Sequence, residues 1–230
     1  MTPGSSGDEA LFEGVQRVKR ERFEARRHYD SISRFYDALE GAFEKRYRKL
    51  GLEVLDIIEG DKVLEIGFGT GEALMDIHGY AGEKGETVGI DFSTGMAAVA
   101  KEKLVDEGIV EEVSLICGDV IKAPFKADHF DKIFMSFTLE LFDTPEISGV
   151  LGEIRRMMKD GGRLGVVSLS KEEDIFVKGY EVFHEIFPTL LDCRPIPVED
   201  ILKKEGFKID SSMSERIGMI PLKIASAYQL

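Results

Sequence analysis

A short apolar run that leads directly into three closely spaced glycines most constrains how this chain can fold. Residues 63–66 form the run, and Gly67, Gly69 and Gly71 follow it at alternate positions. An amphipathic segment then continues to His78. A strand, a glycine turn and a helix in this order leave bare backbone amides at a helix N-terminus, where a ligand can approach closely. The segment therefore predicts a ligand-binding loop in an α/β domain.

The alternation of strand and helix continues along the chain. Further apolar runs predict strands at 87–91, 113–117, 132–136 and 163–168, with helices at 93–107 and 143–158. Two more strands, at 207–210 and 217–228, are expected beyond the fifth at the sheet edge, the second interrupted by Pro221. Strands that alternate with helices of this length indicate right-handed crossovers and a parallel sheet. We expect a doubly wound, mostly parallel, seven-stranded α/β fold with helices on both faces.

Two carboxylates follow the second and third predicted strands. Asp91 ends the second strand about 20 residues after the glycine loop, where a carboxylate can accept both ribose hydroxyls. Asp119 follows the third strand, where a carboxylate could accept from an adenine amino group. Open α/β sheets bind ligands along the edge formed by the carboxyl ends of their strands. The loop and both acids are therefore expected to line one site.

The register of the glycines separates two classes of cofactor. A dinucleotide-binding loop would place glycine or alanine at position 72 for helix–strand packing. Glu72 stands there, and the third glycine falls at Gly71 instead. A negative side chain is a poor neighbour for a pyrophosphate, so a nicotinamide-dependent oxidoreductase is the less favoured alternative. The intact loop and acids also disfavour a non-catalytic module of this fold.

This constellation resembles class I S-adenosylmethionine-dependent methyltransferases, with a Rossmann-like fold, from about Tyr29 to Ser168. Within that superfamily the chain is similar to the ubiquinone/menaquinone-biosynthesis C-methyltransferase group. Three stretches carry this similarity: His28-Tyr29-Asp30 through Phe35-Tyr36-Asp37, Phe130-Asp131-Lys132-Ile133, and Met135-Ser136-Phe137.

The resemblance implies S-adenosyl-L-methionine as the cofactor and assigns residues to it. The glycine loop would line the methionine portion, Glu65 would face its ammonium, and Asp91 would hold the ribose. Met96 would pack on the adenine, and Ser136 would lie near the sulfonium. The full set of implied cofactor-binding residues is Tyr29, Tyr36, Glu65, Gly67, Phe68, Gly69, Thr70, Gly71, Asp91, Phe92, Met96, Gly118, Asp119, Val120 and Ser136.

The methyl acceptor is expected to be small and apolar: a quinone, a phenol or a lipid-like molecule. A phospholipid or another amine is the alternative. Quinone methyltransferases typically continue after Ser-Phe with Gly-Leu-Arg-Asn, whereas Phe137 is followed here by Thr-Leu-Glu-Leu. An acidic carbon or a phenol would need a base. Glu140 in this loop and His184 after the fifth strand are the candidates, although an ordinary loop carboxylate and an ordinary helix histidine are the favoured interpretations of these two residues.

The net charge and the number of cysteines restrict which macromolecules and metal ions the chain is expected to bind. The net charge of −13 repels phosphate backbones, so no nucleic-acid partner is expected. Cys117 and Cys193 are the two cysteines, which excludes a disulfide scaffold and a four-cysteine zinc site, and we expect no metal.

No apolar run reaches the roughly 18 residues of a membrane span, and the first residues lack a secretory signal. A cytoplasmic location is expected.

The sequence divides into three parts. Residues 1–15 are expected to form a disordered tail, 16–60 a helical cover, and 61–230 the S-adenosylmethionine-binding core, with a substrate-capping insertion at about 171–197. The basic run from Arg17 to Arg27 is either a solvated helix or a contact for an anionic membrane surface. Peripheral membrane association is the second of these two hypotheses.

Overall fold

The structure, a computed structural model, describes residues 15, 30, 44–171, 194–218 and 220–229. Its centre is a seven-stranded sheet in the order β3-β2-β1-β4-β5-β7-β6. The strands are β1 (Lys62–Ile66), β2 (Glu86–Asp91), β3 (Val113–Cys117), β4 (Phe130–Ser136), β5 (Met158–Leu169), β6 (Phe207–Ile217) and β7 (Ile220–Gln229).

Strands β1 to β5 pair in parallel, and β7 runs antiparallel to both β5 and β6. The direction of winding reverses between β1 and β4, so the carboxyl end of β1 lies at a topological switch point. Open α/β sheets bind their ligands at such points. The predicted seven-stranded, mostly parallel fold is confirmed.

Helices cover both faces of the sheet. The helices are α1, described over residues 44–55, α2 (Glu72–Ala81), α3 (Thr94–Asp106), α4 (Thr144–Met157) and α5 (Val198–Lys204). Asp143 and Glu146 form a capping box at the start of α4, with Pro145 in its first turn. The predicted start of this helix is therefore confirmed.

Buried apolar side chains pack against both faces of the sheet. Leu64 and Ile66 of β1 belong to the layer that buries the apolar face of α4, while Val63 belongs to the layer that buries α1 and α2. Neighbouring β1 side chains point to opposite faces, and both faces are buried, which explains why this strand is a continuous apolar run. The sheet therefore holds the end of β1 rigidly between two packed layers.

Two strand boundaries differ from the predicted ones by five residues or more. Strand β5 begins at Met158 rather than at residue 163, because Met158 pairs with Phe130 across an irregular register. Strand β6 continues to Ile217 instead of ending at residue 210. Pro221 does not interrupt the last strand: it pairs with Arg216 beside the hairpin turn, where a missing amide removes little of the ladder.

The predicted subdivision of the chain remains a prediction. Residues 1–14 and 172–193 lie outside the described residues, as do Tyr29, Tyr36, His184, Cys193 and the basic run at 17–27. Of the predicted helical cover, the structure describes residue 30 and the segment from 44 to 60; of the predicted tail, it describes residue 15. In the described part of the chain, no helix is both long enough and apolar enough to cross a bilayer.

Candidate functional site

The loop between β1 and α2 has a backbone that requires glycine. Gly67 and Gly71 have φ values of 75° and 83°, in the left-handed region. A Cβ at Gly67 would lie 2.4 Å from the Thr138 side chain, and one at Gly71 would lie 2.9 Å from Ala100. A Cβ at Gly69 would meet nothing within 4 Å. The loop is thus tightly packed at both ends and open in the middle.

Asp91 joins this loop to the end of β2. Its Oδ2 accepts a hydrogen bond from the amide of Gly69 at 2.8 Å, and its Oδ1 accepts from the amide of Ser93 at 2.8 Å. Burial raises the pKa of Asp91 to about 6, although these amide donors oppose the rise, and the charge of Asp30 adds to it. Each carboxylate oxygen has a second lone pair, so the group can still accept from a ligand hydroxyl.

Asp30, from the predicted N-terminal cover, contacts the same edge of the sheet. Its carboxylate accepts from the Ser93 hydroxyl and from the Gly95 amide, both at 2.7 Å. These bonds lie at the start of α3, where the unpaired amides of a helix favour a negative charge. Asp30 therefore attaches the predicted N-terminal cover to the start of α3, where its charge acts on Asp91.

Glu65 is a carboxyl group buried under the glycine loop. Glu65 is 3% exposed, and its Oε2 has no hydrogen-bond partner. Burial raises its pKa to about 8; the positive charge of Arg48 opposes this rise, and the negative charges of Asp91 and Asp76 add to it. Buried polar atoms usually have a hydrogen-bond partner, and this oxygen has none within the protein. Since Glu65 lines a cavity, a donor group of a ligand is the expected partner.

One cavity, with a volume of about 220 Å³, lies at the carboxyl ends of β1, β2, β3 and β4. It brings together most of the residues that the sequence predicted for the cofactor: Glu65, Gly67, Phe68, Gly69, Thr70, Asp91, Phe92, Met96, Gly118, Asp119, Val120 and Ser136. Gly71 is not in its wall and serves instead as the N-cap of α2. Tyr29 and Tyr36 lie outside the described residues.

Asp119 has a second role in its own loop. Its Oδ1 accepts from the amide of Ile121 at 3.1 Å, which caps the short 3₁₀ turn Val120–Lys122. This bond holds the Asp119 carboxylate in the cavity wall next to Val120. The turn therefore fixes Asp119, which is predicted to accept from the adenine amino group, together with its neighbour Val120.

The loop after β4 contributes an apolar part of the cavity wall. Phe137, Leu141 and Phe142 line the cavity on this side. Phe137 is held at a φ of 51°, a conformation that non-glycine residues adopt only when the surroundings impose it, and its amide donates to Val167 at 2.8 Å. This strained turn directs Ser136 and Thr138 toward the cavity.

Glu140 does not reach the cavity, although its neighbour Leu141 does. It is fully buried, and its Oε1 accepts from the amide of Leu169 at 3.1 Å. Burial raises its pKa to about 7, and the nearby charge of Arg194 opposes the rise. The structure therefore favours a structural role for Glu140, which holds the loop after β4 against β5. His184, the other candidate base, lies outside the described residues.

The sequence analysis missed a charged cluster in the wall of the cavity. Arg48 of α1 lies 3.5 Å from Glu72, and Lys103 donates to Glu72 at 2.6 Å and to Thr70 at 3.2 Å. Arg48 and Glu72 both line the cavity. In the sequence, Glu72 serves only as an argument against a dinucleotide cofactor. No local pattern marks Arg48, because its position depends on how α1 packs on the sheet.

Solved structures share this fold. The [4+2]-cyclase SpnF matches with a TM-score of 0.73 at 18% identity, over 91% of this chain and 97% of that one. A SAM-dependent methyltransferase from Aquifex aeolicus matches with a TM-score of 0.60 at 22% identity, over 91% of this chain and 99% of that one. The architecture is the Rossmann-like class I methyltransferase fold. The chain belongs to the ubiE/COQ5 methyltransferase family, whose model matches residues 16–192.

Two curated relatives are similar in sequence. The ubiquinone/menaquinone biosynthesis C-methyltransferase UbiE of Azotobacter vinelandii is 30% identical over 155 residues, which are 67% of this chain and 60% of that protein. The demethylmenaquinone methyltransferase of Bacillus cereus is 31% identical over 160 residues, which are 67% of this chain and 66% of that protein. The matches thus span 60% and 66% of these relatives, less than two thirds of their length in each case. The family predicted from the sequence is confirmed.

Proposed function

We propose that this chain catalyses S-adenosylmethionine-dependent methyl transfer to an apolar acceptor of the quinone type. The observation that carries the proposal is the cavity in which Glu65, the glycine loop, Asp91 and Asp119 meet at the carboxyl edge of the sheet. The names of the family and of its relatives point to the same reaction class.

The residues of the cavity fit this cofactor. Glu65 has a buried oxygen without a partner, which suits the ammonium of the methionine portion. The open side of Gly69 leaves space against the backbone, and the first turn of α2 has no side-chain cap. We assign the ribose to Asp91 and the adenine edge to Asp119, with Met96 packing on the ring. S-adenosylmethionine would supply the methyl group from its sulfonium.

The protein contributes mainly positioning to such a transfer. Displacement at a sulfonium methyl group requires the nucleophile in line with the leaving sulfur, and holding two reactants in that geometry removes much of the entropic barrier. Phe137, Leu141 and Phe142 form an apolar wall that excludes water and suits a ring-shaped acceptor. Ser136 lies in the same wall, at the end of β4.

The proposal includes two features of the wider protein. We propose a cytoplasmic location and peripheral contact with an anionic membrane surface through Arg17 to Arg27, where an apolar quinone would be dissolved. The net charge of −13 favours a small-molecule substrate over nucleic acid.

The test is methyl transfer itself. Methyl-labelled S-adenosylmethionine is incubated with the protein and a reduced, short-chain demethylmenaquinone in detergent micelles, and in parallel with phosphatidylethanolamine vesicles. We expect labelled quinone and unlabelled lipid. Label in the phospholipid alone would contradict the acceptor, and an absence of binding and of transfer in both arms would contradict the proposed function. Asp91→Ala is the negative control, and Asp106→Ala, an exposed acid on α3, is its matched partner.

A further inference from the structure

Arg48 is a buried cation with incomplete pairing at the edge of the cavity. Its side chain is 9% exposed, and it lines the cavity together with Glu65. In the part of the chain that the structure describes, its ion-pair contact is with Glu72 at 3.5 Å, and its Nε has no hydrogen-bond partner. Burial of a guanidinium group is costly unless its donors are used.

Glu72 does not account for the position of Arg48. Lys103 donates to Glu72 at 2.6 Å, a much closer contact than the 3.5 Å to Arg48. Glu72 therefore keeps a close cationic partner when Arg48 turns to another acceptor. A planar guanidinium suits a carboxylate in particular, because its parallel N–H groups match the two oxygens.

An acidic group of this cavity is also incompletely paired. Glu65 has an unpartnered Oε2, and Arg48 is the positive charge that acts on it most strongly. An α-amino acid group carries an ammonium and a carboxylate on one carbon. Such a group would satisfy the unpartnered Oε2 of Glu65 with its ammonium and the unpartnered Nε–H of Arg48 with its carboxylate.

On this basis we propose that Arg48 binds the α-carboxylate of the methionine portion of S-adenosylmethionine, opposite Glu65. The inference rests on the proposed function, since it assumes this cofactor. It makes helix α1, which precedes the sheet in the chain, a part of the cofactor site. The glycine loop and the two aspartates would hold the nucleoside, and Arg48 with Glu65 would hold the amino acid.

The experiment compares two ligands that differ only in this carboxylate. Dissociation constants of S-adenosylmethionine and of decarboxylated S-adenosylmethionine are measured by calorimetry for the wild type, Arg48→Gln and Arg46→Gln. Arg46 lies on the same helix, is 65% exposed and pairs with Glu215, so it is a matched control. We expect Arg48→Gln to weaken S-adenosylmethionine about 10- to 100-fold, the range for lost hydrogen bonds to a charged group, and to leave the decarboxylated ligand unchanged.

A second variant covers the case in which Arg48→Gln does not fold. Arg48→Lys keeps the charge without the planar fork, and we expect it to retain part of the preference for the carboxylate ligand. Equal weakening of both ligands in the Arg48 variants, or no change in either, would overturn the inference. If the wild type bound neither ligand, the proposed function itself would fail, and this outcome is distinct from the other two.

Discussion

The backbone amide of Gly69 donates a hydrogen bond to Oδ2 of Asp91 at 2.8 Å, although the two residues lie 22 positions apart. This bond ties the glycine loop after β1 to the carboxylate at the end of β2. Each element therefore fixes the other, and both face the same cavity. The carboxyl ends of adjacent parallel strands meet at one edge, which brings the loop after β1 within hydrogen-bond distance of the end of β2.

Replacement of Asp91 tests this link. Asp91→Ala removes the acceptor for the ribose and for the Gly69 amide, so we expect cofactor binding to weaken by roughly 1.5–3 kcal/mol, the range for hydrogen bonds to a charged acceptor. Calorimetric titration with S-adenosylhomocysteine measures the change, and Asp106→Ala should bind as the wild type does. An unchanged dissociation constant in a folded Asp91→Ala protein would refute the ribose assignment.

Cofactor binding should release a proton. The pKa of Glu65 is about 8 in the free protein, so the group is mostly protonated at pH 7. An ammonium beside it favours the ionised form, and the proton must then leave. Titrations at pH 7 in buffers of different ionisation enthalpy should show a release close to one proton. Glu65→Gln should abolish most of it; an undiminished release would assign the proton to another group.

The stability of the ligand-free protein should fall as the pH rises. The pKa of Glu140 is about 7 in the folded protein and has the ordinary value of 4.5 in the unfolded chain. Between these values the folded state holds a proton that the unfolded state has lost, so the free energy of unfolding decreases by up to about 1.4 kcal/mol per pH unit. Urea unfolding of Glu140→Gln should lack this contribution.

The same variant separates the two interpretations of Glu140. If this residue only holds the loop after β4 in place, Glu140→Gln should still transfer methyl groups, because the amide oxygen can accept from Leu169. Loss of turnover with unchanged stability and cofactor affinity would restore Glu140 as the base. A difference in stability from the wild type that does not vary between pH 5.5 and pH 7.5 would contradict its raised pKa.

Removal of the Asp30 charge should shift the pH dependence of cofactor binding. The negative charge of Asp30 adds to the raised pKa of Asp91, so Asp30→Asn should lower that pKa. We expect the affinity for S-adenosylhomocysteine to decrease as the pH falls through the pKa of Asp91. In Asp30→Asn this decrease should therefore begin at a lower pH than in the wild type. Asp106→Asn, at the other end of α3, is the control. An unmoved midpoint would show that Asp30 does not act on Asp91 through charge.

The close contact at Gly67 can be tested with two alanine variants. Gly60 and Gly67 both have positive φ values, 93° and 75°, so alanine is strained at either position, by about 1–2 kcal/mol. A Cβ at Gly60 meets nothing within 4 Å, whereas one at Gly67 meets Thr138. We expect Gly67→Ala to lower the free energy of unfolding more than Gly60→Ala does. Equal losses would mean that Thr138 adjusts freely.

The features that could be predicted from the sequence are those that depend on residues close together in the chain or on the order of strands and helices. Glycines after a buried strand and acids at strand ends share one edge in any parallel sheet, so Asp91 and Asp119 could be placed near Gly67 without coordinates. The capping residues of α4 are likewise local, since Asp143 and Glu146 act within one helical turn.

The features that could not be predicted depend on tertiary packing. Arg48 reaches the cavity because α1 packs on one face of the sheet, and Glu140 is buried because its loop folds against Leu169. The length of β6 depends on its pairing with β7, which lies between it and β5. No spacing of residues along the chain encodes these relationships directly.

Competitive binding tests the central claim most directly. The protein is titrated with S-adenosylmethionine, S-adenosylhomocysteine and NAD under identical conditions. If the cavity is a site for a sulfonium nucleoside, the first two ligands should bind and displace each other, and NAD should produce no response. Binding of NAD without a response to either of the other ligands would contradict the account.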